Sequence, residues 1–545
     1  MQCFKGKSVY EGTAMGPIKI LKKKEGPVDR VVAENVSAEM ERLEKALQYA
    51  GEQLQILHRK ALDEVGRQGA DIFEVHGMLL QDEDYLESVR EMIRRENVKA
   101  EYAVQETGRK FAGLFEEMED AYMQARAADI IDVSGRVIRC LQGKETSYEW
   151  NEPAVVLAEE LSPGETMQLD KTKLLGIVTK RGSVNSHAAI LAGMMNIPAL
   201  TDVAVQTDEL QDGMMAIVDS VNNRLITEPD EETMRATEIA IQKQRESRAH
   251  LQELIGKDNI TTDGTRINIF ANIGSVEDIP AVLENDAGGI GLFRSEFLFM
   301  GRDTAPSEEE QFHVYKQIAR QMKDKKVIIR TLDIGADKQA DYMIQGKEEN
   351  PAMGYRAIRI CLKKPEFFMP QIKAILRAAV YGNIAVMYPM IISCEEITAV
   401  KDCIIKAEKE LQDMNIPYRI PEQGIMIETP AAALISDELA EMIDFFCIGT
   451  NDLTQYTLAI DRQNDKLDDF YDAHHKAVFR LIEMVVQNGH NKGIWVGICG
   501  ELAADISLTE YFLRIGVDEL SVAPSAVLKL RAAVRTTDLH GSRGY

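Results

Sequence analysis

The chain has 545 residues, with 63 Lys and Arg against 88 Asp and Glu, for a formal net charge of −25. That length predicts three or four domains with no limit on core size, and the negative balance excludes a generic nucleic-acid binder, whose affinity comes from cations neutralising phosphates. Seven scattered cysteines with no Cys-x-x-Cys exclude a disulfide framework, while no signal peptide and no apolar run of about 20 residues predict a cytoplasmic protein without membrane insertion.

Residues 1–20 hold two short strand-like runs, Ser8–Tyr10 and Ile18–Leu21, which cannot form a stable sheet unaided and so predict pairing with later strands. Residues 34–142 are nearly free of Pro. Met40, Leu43, Leu47, Ala50, Leu54, Leu57 and Leu62 recur there at steps of three to five, an apolar helical stripe interrupted by Gly66 and Gly69. Further helical stretches over 70–95 and 100–142 predict an antiparallel bundle. Within it, residues 71–90 carry six acids and one Arg. By itself this reads as a solvated helix face, and His76 inside it as a helix-surface or core histidine.

The period changes at 153–228. Ala154–Ala158, Leu174–Thr179 and Gly213–Val218 are strand-like, with a helical stretch from His187 between the last two. A small α/β domain is expected, completed by the N-terminal strands and interrupted by the bundle. Residues 229–255 form a charged helix that would span about 40 Å. From 256 onward, eight strand-like runs occur at Ile267–Ile273, Gly289–Phe293, Val327–Arg330, Ile384–Met387, Gly424–Ile427, Phe445–Ile448, Ile494–Ile498 and Glu519–Val522. Most are separated by room for a helix, which predicts a TIM barrel with an insertion between Arg330 and Ile384. The expected architecture is α/β multidomain: an α/β domain over 1–21 plus 143–228, an inserted helical domain over 22–142, a helical linker over 229–255 and a (β/α)8 barrel over 256–545.

Barrel active sites lie at the C-terminal ends of the strands. The residues at the ends of these runs are one-sided in character: Arg294-Ser-Glu, Arg330-Thr-Leu-Asp, Glu428-Thr-Pro, Asn451-Asp452 and Cys499-Gly-Glu501. Guanidinium forks match phosphate and carboxylate oxygens. Glu428 and Asp452 are hard donors suited to Mg²⁺, and Cys499 can exchange a proton with carbon. Each residue alone reads more simply as a salt bridge, a helix cap or a small buried hydrophobe; five strand ends together favour a site. A second candidate is Thr179-Lys-Arg-Gly182-Ser183-Val184-Asn185-Ser186-His187, a strand, a turn and a helix start. Ser186 is an N-cap candidate. His187 falls in the first turn, where the helix dipole favours an added phosphoryl group, although a lone His after a turn is most often structural.

These residues resemble Enzyme I of the sugar phosphotransferase system, the phosphoenolpyruvate–protein phosphotransferase family, over nearly the whole chain. The motifs are GIGLFRSEFLFMGR (289–302), VIIRTLDIGADK (327–338), NPAMGYRAIRI (350–360), GIMIETPAA (424–432), IGTNDLTQYTLAIDRQND (448–465) and ICGELAAD (498–505). The resemblance implies that His187 takes the phosphoryl group from phosphoenolpyruvate, with Thr166 of LSPGETMQL orienting its ring. It implies that Arg294, Arg330 and Arg462 grip phosphate and carboxylate with Lys338 and Asn451, that Arg356 joins them, and that Glu428 and Asp452 hold Mg²⁺. Cys499 would protonate the enolate to release pyruvate. The helical domain would dock the histidine-containing phosphocarrier protein, whose basic face suits the acidic stretch 71–90, and the barrel would form a homodimer. Two departures stand in the motifs: Ser183 and Asn185 replace the Gly and Thr of Gly-Gly-x-Thr-Ser-His, and Gly335-Ala336 replaces Gly-Gly.

His187 must serve both the barrel and a docked carrier, so a hinge near 225–260 is expected. Three rivals are disfavoured. A pyruvate phosphate dikinase needs an ATP domain for which no segment has room. A non-catalytic scaffold would not retain the whole polar set. A nitrogen-regulatory relative would carry an N-terminal sensor domain, for which Met1 begins too close to the first strand.

Overall fold

The N-terminal strands find their partners late in the chain. In the computed structural model, β1 (Gln2–Lys5), β2 (Lys7–Tyr10) and β3 (Thr13–Leu21) join β4 (Ala154–Ala158), β5 (Leu174–Thr179), β6 (Ala199–Thr201), β7 (Met215–Asp219) and β8 (Arg224–Thr227) in one sheet of order β1-β8-β7-β3-β4-β5-β6-β2. Three strands, rather than the two read from sequence, occupy the N-terminus. Gly6 separates the first two, and a Cβ there would stand 2.6 Å from Val203 Cγ2. The structure describes all residues except 22–27, 117–120, 145–147, 149, 184–185, 206–209, 301, 303, 336–341, 344–347, 349, 463 and 541–545. The side chains of 67, 68, 116, 121–125, 187, 244, 248, 465 and 468 are also outside the description. The chain divides into two units, Met1–Ser247 and Arg248–Tyr545.

Between β3 and β4, which pair in parallel, the chain forms α1 (Val36–Val65), α2 (Arg67–Leu80), α3 (Glu83–Glu96), α4 (Ala100–Glu116) and α5 (Ala121–Leu141). Asn35 caps α1 by accepting from Ala38 N at 3.2 Å, and Gly66, at φ +80°, ends it. The buried stripe runs Leu43, Ala46, Leu47, Ala50, Leu54, Leu57, Ala61. Leu62, placed in that stripe by the sequence reading, is 47% exposed. A step of four from Leu57 keeps the helical phase, whereas a step of five leaves it. His76 is a core histidine, fully buried. Three further helices follow in this part of the chain: α6 (Pro163–Gln168), α7 (His187–Met194) and the charged α8 (Glu231–Gln252).

In the second unit, β9 (Asn268–Ile273), β10 (Gly289–Arg294), β11 (Lys326–Arg330), β12 (Ile384–Tyr388), β13 (Glu422–Ile427), β14 (Phe445–Ile448), β15 (Trp495–Ile498) and β16 (Glu519–Val522) close into a parallel barrel. These are the eight strands expected. Leu292, Ile328, Ala385, Met387, Met426, Phe445, Cys447 and Cys499 fill its interior. A larger apolar layer, including Ile290, Val327, Val386, Ile425 and Phe446, packs the strands against the surrounding helices. Alternation along β11 to β14 assigns residues to these two layers, whereas β10 shifts register between Ile290 and Phe293 and so places Ile290 and Leu292 in different layers. No helix among the described residues is long and apolar enough to cross a membrane.

Candidate active site

Parallel register brings the strand ends to one rim. Arg294 pairs with Arg330, Ile427 with Ile448, and Ile448 with Ile498, so the residues following β13, β14 and β15 emerge side by side. Glu428 comes directly after β13 and Cys499 directly after β15, and Asn451 and Asp452 lie in the first turn of the helix Thr450–Leu458.

Two buried guanidiniums organise the rim. Arg330 pairs with Glu296 at 2.6 Å and Asp333 at 2.9 Å. Arg356 pairs with the other oxygen of Asp333 at 3.0 Å, approaches Asp452 at 3.9 Å and donates to Tyr456 Oη at 3.2 Å. Burial pulls both arginines down, but the carboxylates around them, Asp333 foremost, outweigh it and hold both above their ordinary value. Each keeps a buried Nε–H with no acceptor among the described residues. Arg356 is followed by Ala357 at φ +52° and ψ −127°, a conformation that costs a non-glycine residue about 1–3 kcal/mol. Ala357 N donates to Ile334 O at 2.9 Å, which ties this strained residue to the segment carrying Asp333.

Glu428 is fully inside. Its Oε1 accepts from Met390 N at 2.6 Å. Burial first, then Asp452 and Asp333, push its carboxyl well above the usual range, with Arg330 and Arg356 opposing. Gly449 lets β14 pass close, since a Cβ there would stand 3.1 Å from Glu428 Oε2. A buried carboxyl crowded by two others is the donor set that a hard divalent cation relieves. No group of three or more such ligands occurs among the described residues, so a cation held by Glu428 and Asp452 would complete its shell with substrate oxygens or water.

Cys499 is 7% exposed, and its backbone N–H donates to Ile448 O at 3.0 Å. Asn451 Nδ2 donates to Glu501 Oε1, and Glu501 N to Asn451 Oδ1, both at 2.9 Å, clasping the ends of β14 and β15. Arg294 and Arg462 are exposed and make no ion pair among the described residues. Lys338 lies outside those residues. The structure thus gathers Arg330, Arg356, Glu428 and Asp452 around Asp333 and Glu296. The two acids were visible as letters in the strand-end motifs, but their pairing was missed. Only the spacing Arg330-x-x-Asp333 pointed to it.

In the first unit, Ser186 caps α7 by accepting from Ala189 N at 3.2 Å, and α7 begins at His187, whose side chain is outside the described residues. A cavity of 660 Å³ adjoins this helix start, lined by Thr166, Ser183, Ser186, Asp129, Asp132 and Arg139 among others. Thr166 is 1% exposed, and its hydroxyl donates to Ser162 O at 2.9 Å on a helix fixed by a Ser162–Glu165 capping box. Gly182 has φ +125°, while Ser183 is not among the described non-glycine residues with positive φ. The turn therefore needs a glycine at 182 and accepts Ser at 183. Asn185 falls outside the described residues. Beneath the cavity His76 stands between Asp129, at 3.2 Å, and Asp132, at 3.7 Å.

Family models for three domains match the chain: the N-terminal domain of PEP-utilising enzymes over residues 5–126, their mobile domain over 150–223 and their PEP-binding domain over 248–539. The class is that of enzymes using phosphoenolpyruvate. A phosphoenolpyruvate-protein phosphotransferase of Priestia megaterium is 39% identical over 533 residues, covering 97% of this chain and 93% of that one. Its namesake in Bacillus subtilis (strain 168) is 38% identical over 537 residues, 98% and 94%, and that of Geobacillus stearothermophilus 40% over 510 residues, 93% and 88%. The chain belongs to the phosphoenolpyruvate-protein phosphotransferase family.

Proposed function

We propose that this enzyme moves the phosphoryl group of phosphoenolpyruvate to His187 and then to a histidine-containing phosphocarrier protein, releasing pyruvate, as the first step of phosphotransferase-system sugar uptake. The observation that carries the reading is the pair of buried guanidiniums sharing Asp333 beside Glu428 and Asp452, on the rim of the domain matched by the PEP-binding model.

In this reading Arg330 and Arg356 bind phosphate and carboxylate oxygens with Arg294, Arg462, Lys338 and Asn451. Glu428 and Asp452 would hold Mg²⁺, which supplies charge neutralisation at the transferring phosphoryl group when bound. A neutral ring nitrogen of His187 attacks phosphorus as the bond to the enol oxygen breaks. Thr166 directs its hydroxyl hydrogen at Ser162 O, which leaves its lone pairs to accept the other ring N–H and fix the tautomer. The Cys499 thiol then donates its proton to C3 of the enolate. All six acids of 71–90 are exposed, which suits docking of a basic carrier face on the helical domain.

The same reading takes 1–21 plus 143–228 as the phosphohistidine domain, 22–142 as the carrier-binding domain, 229–255 as the linker and 256–545 as the barrel, in a cytoplasmic homodimer. The test is incubation with ³²P-labelled phosphoenolpyruvate and Mg²⁺. An acid-labile, alkali-stable label that disappears in His187→Ala is expected. No label on the unaltered chain refutes the reading.

A further inference from the structure

The chain leaves β12 through Tyr388-Pro389-Met390-Ile391, side chains with no acid, base or metal ligand among them. Met390 has φ +58°, a left-handed conformation that is uncommon for a residue with a long side chain. It is held there from both sides. Its thioether is 1% exposed and packs in the apolar layer between strands and helices. The residues after it are tied down as well. Thr429 Oγ1 donates to Ile391 O at 3.1 Å, and Ile392 N donates to Glu396 Oε2 at 2.7 Å in the helix Cys394–Asp413. Backbone strain fixed in this way by its surroundings gathers at working sites.

What the turn delivers is one N–H. Met390 N donates to Glu428 Oε1 at 2.6 Å, a short contact for an amide donor. β12 and β13 are neighbours, with Tyr388 paired to Ile425, so Oε1 is held from the β12 side. Oε2 lies on the other flank, where a Cβ at Gly449, the residue after β14, would stand 3.1 Å from it. Gly449 leads into the helix Thr450–Leu458, whose first turn carries Asp452. Oε2 accepts no hydrogen bond from the described residues, yet it is not among their buried partnerless atoms. Glu428 is therefore anchored by one oxygen and open at the other, on the flank that bears Asp452. The last torsion of a Glu side chain has only broad minima, so without the N–H nothing on the β12 side would decide which oxygen faces which way.

We propose that Met390 is a positioning residue for the cation site, an assignment that rests on the reading of Glu428 and Asp452 as the holders of Mg²⁺. Its backbone N–H pins Oε1 of Glu428 and leaves Oε2, on the Asp452 flank, as the oxygen for the cation. The left-handed turn presents that N–H, and the buried thioether keeps the turn in place. A hydrogen bond to the far atom of a metal-binding group fixes its orientation and is worth about 10–100-fold in metal affinity. Met390 acts through Glu428 and is not itself a catalytic residue.

The test uses Mn²⁺ as the probe, titrated into the full-length enzyme with pyruvate present, while EPR reports the free ion. Replacing Met390 by its α-hydroxy analogue, through nonsense suppression, turns the amide into an ester and deletes that N–H alone. The Mn²⁺ dissociation constant is expected to rise about 10–100-fold. It should rise likewise in Met390→Val, whose branched Cβ resists a left-handed φ. Met390→Gly keeps the N–H and takes that φ freely, so it should retain most of the affinity. Should the ester enzyme fail to fold, the Gly and Val variants decide, and equal affinity in the two overturns the positioning role. Unchanged binding in the ester and in Met390→Val, with binding weakened in Glu428→Gln, overturns that role while leaving Glu428 as a holder of the cation. Undiminished binding in Glu428→Gln, or none by the unaltered chain, overturns the reading of the cation site and the proposal with it.

Discussion

Replacing Asp333 by Asn tests whether one carboxylate holds the two guanidiniums of the rim. The side chains of Asp333, Arg330 and Arg356 are 2%, 7% and 5% exposed, so solvent cannot compensate a lost charge. Arg330 would retain Glu296 at 2.6 Å, but the next carboxylate to Arg356 is Asp452 at 3.9 Å. Removing one partner from a buried pair costs about 3–5 kcal/mol, because a charge is left uncompensated. Asn keeps an acceptor oxygen, which places the expected loss near the lower end, about 3 kcal/mol out of a total stability of about 5–15 kcal/mol. At roughly 2–4 °C per kcal/mol for a unit somewhat smaller than this barrel, the barrel transition should fall by about 6–12 °C. Scanning calorimetry of the full chain without ligand measures it. Glu309→Gln, which loosens the half-exposed pair with Arg377 at 2.7 Å, is the control and should cost under about 1 kcal/mol. A barrel transition in Asp333→Asn as close to wild type as the control's would refute the claim that Asp333 is the shared clamp.

Ala357→Gly removes the penalty of a left-handed φ at +52° and should stabilise the barrel by about 1 kcal/mol, read as a rise in Tm. In the helical bundle, Leu43→Ala should cost about 2–5 kcal/mol, since Leu43 is 0% exposed, whereas Leu62→Ala, at 47% exposure, should stay within about 0.5 kcal/mol by urea unfolding. Glu310 is held down to about 2, by Arg302 first and then by Ser307. Its contribution is therefore present above the ordinary carboxylate range and lost as pH falls from about 4.5 towards 2. Screening at this exposed site keeps the effect small, so Glu310→Gln should flatten the acid limb of Tm against pH in that window and leave the curve above pH 6 parallel to wild type.

The barrel was legible because each strand is a short apolar run, and because parallel strands must present their following residues on one rim. Glu428, Asp452 and Cys499 could be picked out for that reason: each comes after a run such as Gly424–Ile427 or Phe445–Ile448 by no more than a few residues. The cap at Ser186 was legible from the same kind of local rule, a short hydroxyl side chain ahead of a helical stretch. Arg356 was less so, since it sits in the long segment between β11 and β12 and came from a motif alone.

Other features had no local signature. The two oxygens of Asp333 divide between arginines 3 and 23 residues away, and nothing in the order of letters says which cation a buried acid will meet. Gly182 and Ser183 look interchangeable as loop residues until φ shows that the positive angle falls on 182. Ala61 rather than Leu62 continues the α1 stripe because helical phase, not hydrophobicity, selects the buried face. Composition, periodicity and the residue after each strand are properties of one stretch of chain, so they establish the barrel, the bundle and the chemistry available at the rim. Pairing of charges, and the approach of the Met390 N–H to Glu428, depends on strand register and on how the chain turns as it leaves a strand, and only the folded chain sets those.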